Sequence, residues 1–315
     1  MKNRFNYLID KIKKSQLESH PFKFLYIKDF LNSDDFNEIL SLDVINVRGD
    51  DFDNLYNNLT QLEYKHQPHP GTFQNIKKYI QWRDKGNHIN SDIQGTRGAE
   101  LVEAGGFALR LKKEPKIIQD LVDILSSKEM ENVFREKFNL DDEELRKDSG
   151  LHKYFTGYEI SPHPDTREKA LTYMLNLNPD PDSHNKDYHT RFLKFKEGYK
   201  YVSSVWNSNS EIQRPWVPWS WCETEVIQTA NNSITIFSPN NHSLHAVKAN
   251  YDDLEYQRTQ IYGNYWYKSI KAPLNATTYN DFDFKSKVIS NQKKYDSLSQ
   301  KIYRTVRNKI NSLKD

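Results

Sequence analysis

Leu151-His152-Lys153-Tyr154-Phe155-Thr156-Gly157-Tyr158-Glu159-Ile160-Ser161-Pro162-His163-Pro164-Asp165 is the stretch from which the fold is read. Its aromatic and β-branched residues predict a strand over 152–160, closed by the two prolines that flank His163. Side chains at i and i+2 of an extended chain point to the same side. His163 and Asp165 can therefore face one metal ion. A His-x-Asp tripeptide is common by itself, so its meaning depends on what surrounds it.

The surroundings are β-rich. From residue 150 to 268, short runs of Tyr, Phe, Ile, Val and Thr alternate with Pro, Asn, Asp and Gly clusters, the pattern of an antiparallel β protein. Strands are expected at 152–160, 170–177, 190–195, 224–229, 233–237, 244–248 and 256–267. A third ligand for the His163–Asp165 pair has to come from a distant strand. The hairpin formed by Ile234–Phe237, Ser238-Pro239-Asn240-Asn241 and Leu244-His245-Ala246-Val247 offers two, His242 and His245. Two imidazoles and one carboxylate on one face of an octahedron leave open positions, as in non-haem Fe(II) oxygenases.

With these residues in place, the region from Tyr154 onward resembles the Fe(II)/2-oxoglutarate-dependent oxygenases, in the branch related to prolyl 4-hydroxylases. That branch has a tyrosine, a glycine three residues later and a His-x-Asp six residues after the glycine, matched here by Tyr154, Gly157, His163 and Asp165. Leu171-Thr172-Tyr173-Met174-Leu175-Asn176 resembles the family strand that ends in Leu-Asn, and Thr190-Arg191-Phe192 resembles its Thr-x-Phe strand. The resemblance makes His245 the distal histidine. It also makes Arg258 the basic residue that grips the far carboxylate of 2-oxoglutarate, with Tyr154, Thr172, Asn176 and Gln260 beside it. It covers residues 151–268, and 21–40 is similar to the strand and helix that open such domains.

The resemblance implies a mainly β fold with flanking helices (α+β) around a double-stranded β-helix, the cupin-like jelly roll. The cofactor set it implies is Fe(II), 2-oxoglutarate as cosubstrate, and O2. The implied activity is a 2-oxoglutarate-dependent dioxygenase that hydroxylates an unactivated C–H bond of a small molecule or peptide and releases succinate and CO2. Family halogenases carry a small residue at the position of Asp165, so a carboxylate there points to hydroxylation. The alternative is a metal-binding cupin-like barrel without redox chemistry, an isomerase or sensor module. Such a barrel has no need of Arg258 and Tyr154. The sequence also departs from the family pattern. Tyr188-His189 stand where the family has Gly-Gly, and Asn176 stands where relatives have a tyrosine. Arg258 follows His245 by thirteen positions, against about nine or ten in the family, so Asp252-Asp253-Leu254-Glu255 reads as a small insertion. Substrate identity is therefore not transferred.

Outside that region, two helices are expected. Ile118, Leu121, Val122 and Leu125 form one stripe after Pro115, and Ser126-x-x-Glu129 reads as a capping box ahead of Met130, Val133, Phe134 and Phe138. Ser33 reads as the cap of an earlier helix after a strand at 22–27. Residues 45–100 read as loops with short helices, His66 and His69 among them. The stretch 196–223 carries Trp206, Trp216, Trp219 and Trp221 and is expected to wall or close the substrate pocket. His189 reads as a core or substrate-side residue rather than a ligand. Residues 1–268 are expected to form one domain. The tail, 269–315, carries an apolar stripe (Tyr295, Leu298, Ile302, Val306, Ile310, Leu313) suited to packing on that domain or to a homo-oligomer interface.

Composition excludes other classes. Lys+Arg 45 against Asp+Glu 43 leaves a net charge of +2, too even for a nucleic-acid binder, which needs a clustered cationic excess. Only 36% of the 315 residues are apolar, but 13% are aromatic, enough to build cores and pockets. Cys222 is the single cysteine, so neither a disulfide framework nor a thiolate cluster is expected. No run reaches the ~18 apolar residues of a membrane span, and no secretory leader is legible. A cytoplasmic protein is the expectation.

Overall fold

A computed structural model describes residues 3–67, 73, 75–84 and 104–269. The expected helix of the 269–315 tail lies outside those residues, as does His69. The described chain runs α1 (Tyr7–Lys14), β1 (Phe24–Ile27), α2 (Ser33–Leu40), α3 (Phe52–Gln61), β2 (Tyr64–His66), α4 (Ile76–Asp84), β3 (Ala104–Gly105), β4 (Ala108–Leu111), α5 (Lys116–Leu125) and α6 (Lys128–Phe138). It continues through β5 (Leu145–Tyr154), β6 (Glu159–His163), β7 (Lys169–Asn176), β8 (Arg191–Phe195), α7 (Tyr201–Ser208), β9 (Cys222–Ile227), β10 (Ile234–Phe237), β11 (His245–Lys248) and β12 (Arg258–Tyr267). All strand pairs are antiparallel. A larger sheet has the order β1-β10-β7-β12-β5-β4-β2 and a smaller one β3-β6-β11-β8-β9. The class is α+β, mainly antiparallel.

Strand alternation divides the larger sheet's residues between two cores. Leu171, Tyr173 and Leu175 of β7, with Ile261 and Tyr265 of β12, join the helices in one apolar core that includes Leu8, Leu55, Ile118, Leu121 and Phe134. Their neighbours Thr172, Met174 and Asn176 are buried on the other face. A second cluster spans the sheets, with Phe24, Met174 and Phe237 from the larger sheet against Phe192 of the smaller. Phe24 and Phe192 meet edge to face, centroids 4.7 Å apart, a favoured aromatic geometry. Every residue of β7 is buried, as expected of a strand covered on both faces.

Several expectations are corrected. The strand read over 152–160 is two strands, because Gly157 takes φ +78° in a turn at 155–158, a conformation glycine adopts without steric cost. Its N–H donates to Ala249 O at 2.7 Å, tying this turn to the end of β11. The caps shift by one residue: Asn32, not Ser33, accepts from Asp35 N, and Ser127, not Ser126, accepts from Met130 N. Ser, Asn and Asp all serve as caps, so adjacent candidates cannot be ranked by type. His66 lies on β2 and stacks on Phe107 with ring centroids 4.5 Å apart, rather than in a loop. Residues 201–208, expected to belong to a long loop, form α7. Among the described residues no helix is long and apolar enough to cross a membrane.

Candidate metal centre

His163 closes β6 and His245 opens β11, and the ladder between these strands sets the two residues opposite each other. Their rings lie 4.3 Å apart, centroid to centroid. Asp165 joins them by a turn rather than by strand alternation. The strand stops at His163, and Asp165 has φ +62°, a left-handed conformation that Asp tolerates better than most residues. Ligand atoms of His163, Asp165 and His245 all lie within 4.8 Å of one another. His242, the other candidate on that hairpin, is exposed and lies outside the group.

Hydrogen bonding sets the tautomers. His163 Nδ1 lies 2.9 Å from Ser161 O, and His245 Nδ1 lies 3.1 Å from Ser243 O. A carbonyl only accepts, so both Nδ1 atoms carry the proton and both Nε2 atoms present a lone pair. Those lone pairs face the Asp165 carboxylate, with Nε2–O distances of 3.4 Å for His163 and 3.7 Å for His245. Backbone carbonyls thus orient the imidazoles as they orient metal-binding histidines generally. Burial, followed by the neighbouring His163, lowers His245 to about 3, which keeps it neutral and able to ligate.

The carboxylate is held in turn. Lys169 Nζ donates to Asp165 Oδ1 at 2.7 Å and to Tyr262 OH at 2.8 Å. Thr172 Oγ1 donates to Asp165 Oδ2 at 2.9 Å and sits 3.1 Å from Asn264 Oδ1. Burial raises the Asp165 pKa, but the Lys169 ammonium, followed by the neighbouring His245 and His163 imidazoles, outweighs it and holds the group well below the carboxylate range. The donor set is two neutral nitrogens and one anionic oxygen. It fits a first-row divalent ion with positions left over for other ligands.

Arg258 opens β12, opposite Tyr154 of β5. Its guanidinium lies over the Tyr154 ring at 4.6 Å and reaches the smaller sheet's side of the molecule, where Nη2 donates to Thr190 Oγ1 at 3.0 Å. Arg258 is 3% exposed, and no carboxylate pairs with it among the described residues. It therefore does not pair with Glu255, which meets Arg48. Burial lowers its pKa, and the surrounding tyrosines oppose that shift. The guanidinium stands near Tyr154, Tyr158, Tyr188 and Tyr251, with no acid to balance its charge among the described residues. His189 is buried close by, lowered to about 4 by burial and then by Arg258, and its Nε2 has no partner.

Asn176 and Gln260 form a pair. Gln260 Nε2 donates to Asn176 Oδ1 at 2.6 Å, while Asn176 Nδ2 donates to Gln228 O and Ala230 O. Both amide hydrogens of Asn176 are engaged, leaving it none for a ligand. The Trp-rich segment mainly covers the outer face of the smaller sheet. Trp206 packs with Leu193, Phe195, Leu244 and Ala246, joined by Trp219 and Trp221. The segment also meets the metal loop, where Val217 N donates to Pro162 O at 2.7 Å and Arg214 Nη2 donates to Asp165 O at 3.0 Å.

Lys169 and Arg214 are the site residues that sequence reading missed. Lys169 had a signal, a lone charge at the start of an otherwise uncharged strand. Arg214, in a stretch without periodicity, had none.

No family model matches the chain, and no curated protein matches it. Among solved structures, a prolyl-4-hydroxylase of Pseudomonas putida is similar over 84% of this chain and 99% of its own, at 9% identity and a TM-score of 0.40. A Trichoplax adhaerens prolyl hydroxylase, solved with a peptide of hypoxia inducible factor, aligns over 84% and 89% at 12% identity and a TM-score of 0.38. HygX of Streptomyces hygroscopicus, solved with nickel, 2-oxoglutarate and hygromycin B, aligns over 70% and 89% at 9% identity and a TM-score of 0.30. Those ligands belong to those proteins.

Proposed function

We propose that the chain is an Fe(II)- and 2-oxoglutarate-dependent dioxygenase that hydroxylates an unactivated C–H bond of a small molecule or peptide. Succinate and CO2 are the co-products, with one oxygen atom of O2 entering succinate and the other the hydroxylated product. On this reading His163, Asp165 and His245 hold the metal, and residues 1–268 form one domain whose two sheets make a double-stranded β-helix. Bound iron supplies the redox chemistry with O2 that couples decarboxylation of 2-oxoglutarate to hydroxylation.

The protein's own groups do the rest. Arg258 and Thr190 bind the distal carboxylate, and Tyr154 lies under the guanidinium and keeps it in place. Lys169 and Thr172 orient the Asp165 carboxylate. The carbonyls of Ser161 and Ser243 keep both imidazoles in the ligating tautomer. Phe237 lies 4.7 Å from the His245 ring, centroid to centroid, and limits water beside it.

The observation that carries the proposal is the buried Arg258, unpaired by any described carboxylate and pointing from one sheet toward the other in a protein that also brings two imidazoles and a carboxylate together. A non-redox metal barrel needs the triad but has no use for a buried anion site of this kind. Anaerobic addition of Fe(II) and 2-oxoglutarate is the test. The expected result is the visible charge-transfer absorption of a chelated keto acid, followed by slow succinate release on admitting air. Iron binding without that band would favour the non-redox barrel.

A further inference from the structure

Two guanidiniums fasten the Trp-rich segment to the metal loop. Arg167 Nη2 donates to Trp206 O at 2.9 Å and its Nε to Ile212 O at 3.2 Å. Arg214 Nη2 donates to Asp165 O at 3.0 Å, and Nη1 donates to Asn241 Oδ1 at 3.2 Å. All of these acceptors are neutral, and neither arginine makes an ion pair among the described residues. Arg214 is 6% exposed, and its Nε is buried without an acceptor.

Charge around this point does not balance. Lys169 bonds the Asp165 carboxylate, Arg214 bonds the Asp165 backbone carbonyl and Arg167 lies two residues along the same loop, with Glu168 as the second acid, held by Gln213 Nε2 at 3.4 Å. A divalent ion at the triad adds positive charge. 2-Oxoglutarate brings negative charge, but its distal carboxylate is assigned to Arg258. Neutral carbonyls could be bonded by a neutral amide at far smaller desolvation cost, because a buried, uncompensated cation is costly to a fold.

We infer that Arg214 forms a subsite for an oxyanion of the primary substrate, a carboxylate or a phosphate. This deepens the reading of the site as an iron and 2-oxoglutarate centre and rests on it. The Arg214 Nε–H, buried without an acceptor among the described residues, is the charge-assisted donor left for such a group. The anion completes the Arg214 hydrogen bonding and brings the substrate beside the metal ligands. Its contact with the 209–217 stretch couples substrate arrival to the packing of Trp206, Trp219 and Trp221.

Sodium acetate, inorganic phosphate and acetamide are the probes. Each is titrated into protein loaded anaerobically with Fe(II) and saturating 2-oxoglutarate, and tryptophan fluorescence is read. Samples are compared at equal intensity of the charge-transfer band. A saturable response to acetate or phosphate is expected, with none to acetamide, and whichever anion responds names the oxyanion. Arg214→Gln should weaken that binding at least tenfold, and Arg214→Lys should weaken it severalfold. Should Arg214→Gln fail to fold, Arg214→Lys alone decides.

The inference is overturned by the absence of any saturable anion response, by an equal response to acetamide, or by anion affinity unchanged in the variants. The last result would place the anion on the metal or elsewhere. A missing charge-transfer band in the unaltered protein overturns the iron and 2-oxoglutarate reading, and this one with it. A normal band without anion binding overturns this one alone.

Discussion

His245 stands directly opposite His163 across the β6–β11 ladder, and each imidazole is bonded through Nδ1 to the carbonyl two residues before it. The repeated bond makes the two strands equivalent supports for one ion. Each strand supplies an Nε2 lone pair already aimed at Asp165, so little reorganisation accompanies metal binding.

The first prediction concerns which histidine of the distal hairpin matters. His245→Ala should lower Fe(II) affinity by at least tenfold and abolish the 2-oxoglutarate charge-transfer band. His242→Ala should do neither, because His242 is exposed. Iron titration followed by visible spectroscopy on both variants decides between them. Normal iron loading of the His245→Ala protein would refute the assignment.

The parts of the site legible in the sequence are those set by local chemistry. The His-x-Asp spacing, the strand before His245 and the aromatic run ending at Tyr267 are written in adjacent residues. The means by which Asp165 meets its partners is not written there. Two residues along an ideal strand give the same facing as a proline-flanked strand end followed by a left-handed Asp, so spacing alone could not separate the two. The turn at Gly157 was hidden because aromatic residues on both sides read as one continuous strand. Arg214 could not be placed by pattern at all, and the lone charge of Lys169 marks that residue without saying what it meets. Their roles arise when segments distant in sequence, such as 162–169 and 209–217, are brought together by the sheets. The tryptophans were legible as anchors, but which face they cover is decided by the outward residues Leu193, Leu244 and Ala246.

Lys153 gives a pH prediction away from the metal. Its side chain is fully buried, with Nζ donating to Ile45 O at 2.8 Å and Thr259 Oγ1 at 3.1 Å, and burial lowers its pKa to about 7. An unfolded lysine titrates near 10.4, so between about pH 7 and 10 the unfolded chain binds more protons than the folded one. Stability must then rise with pH across that window, by on the order of 4 kcal/mol at the upper limit. Below about pH 7 this contribution is constant. Thermal unfolding from pH 6.5 to 9.5 should show the rise, and Lys153→Met should flatten it. Parallel profiles for the two proteins would mean that the lysine is charged in the fold.

Gly263 tests the packing between β12 and the helices. It pairs with Tyr173 across the β12–β7 ladder, and a Cβ there would come within 2.1 Å of the Tyr173 ring. Tyr173 is fully buried and cannot swing away cheaply. Gly263→Ala should destabilise the fold by about 1–3 kcal/mol, read as a lower urea midpoint with unchanged slope. The double variant Gly263→Ala with Tyr173→Phe should recover part of the loss, because the hydroxyl oxygen lies 2.3 Å from the same point. No recovery would place the strain in the backbone rather than in this contact.

Arg258 carries the most direct test of the cosubstrate site. Charge-assisted hydrogen bonds are worth ~1.5–3 kcal/mol each, so loss of the guanidinium should weaken 2-oxoglutarate binding by about one to three orders of magnitude. Arg258→Lys keeps the charge but not the paired donors and should retain part of the affinity, while Arg258→Ala should retain little. Iron binding should survive both changes, since Arg258 bonds Thr190 and lies over Tyr154 rather than touching the triad. Other arginines are poorly placed to substitute. Arg191 pairs with Asp187 at 3.0 Å, and Arg167 is held by the carbonyls of Trp206 and Ile212. Calorimetric titration of 2-oxoglutarate into the metal-loaded variants, with thermal unfolding to confirm the fold, gives the answer. A folded Arg258→Ala protein with an unchanged dissociation constant would move the dicarboxylate site elsewhere. The buried guanidinium would then need another anion to account for its isolation from every described carboxylate.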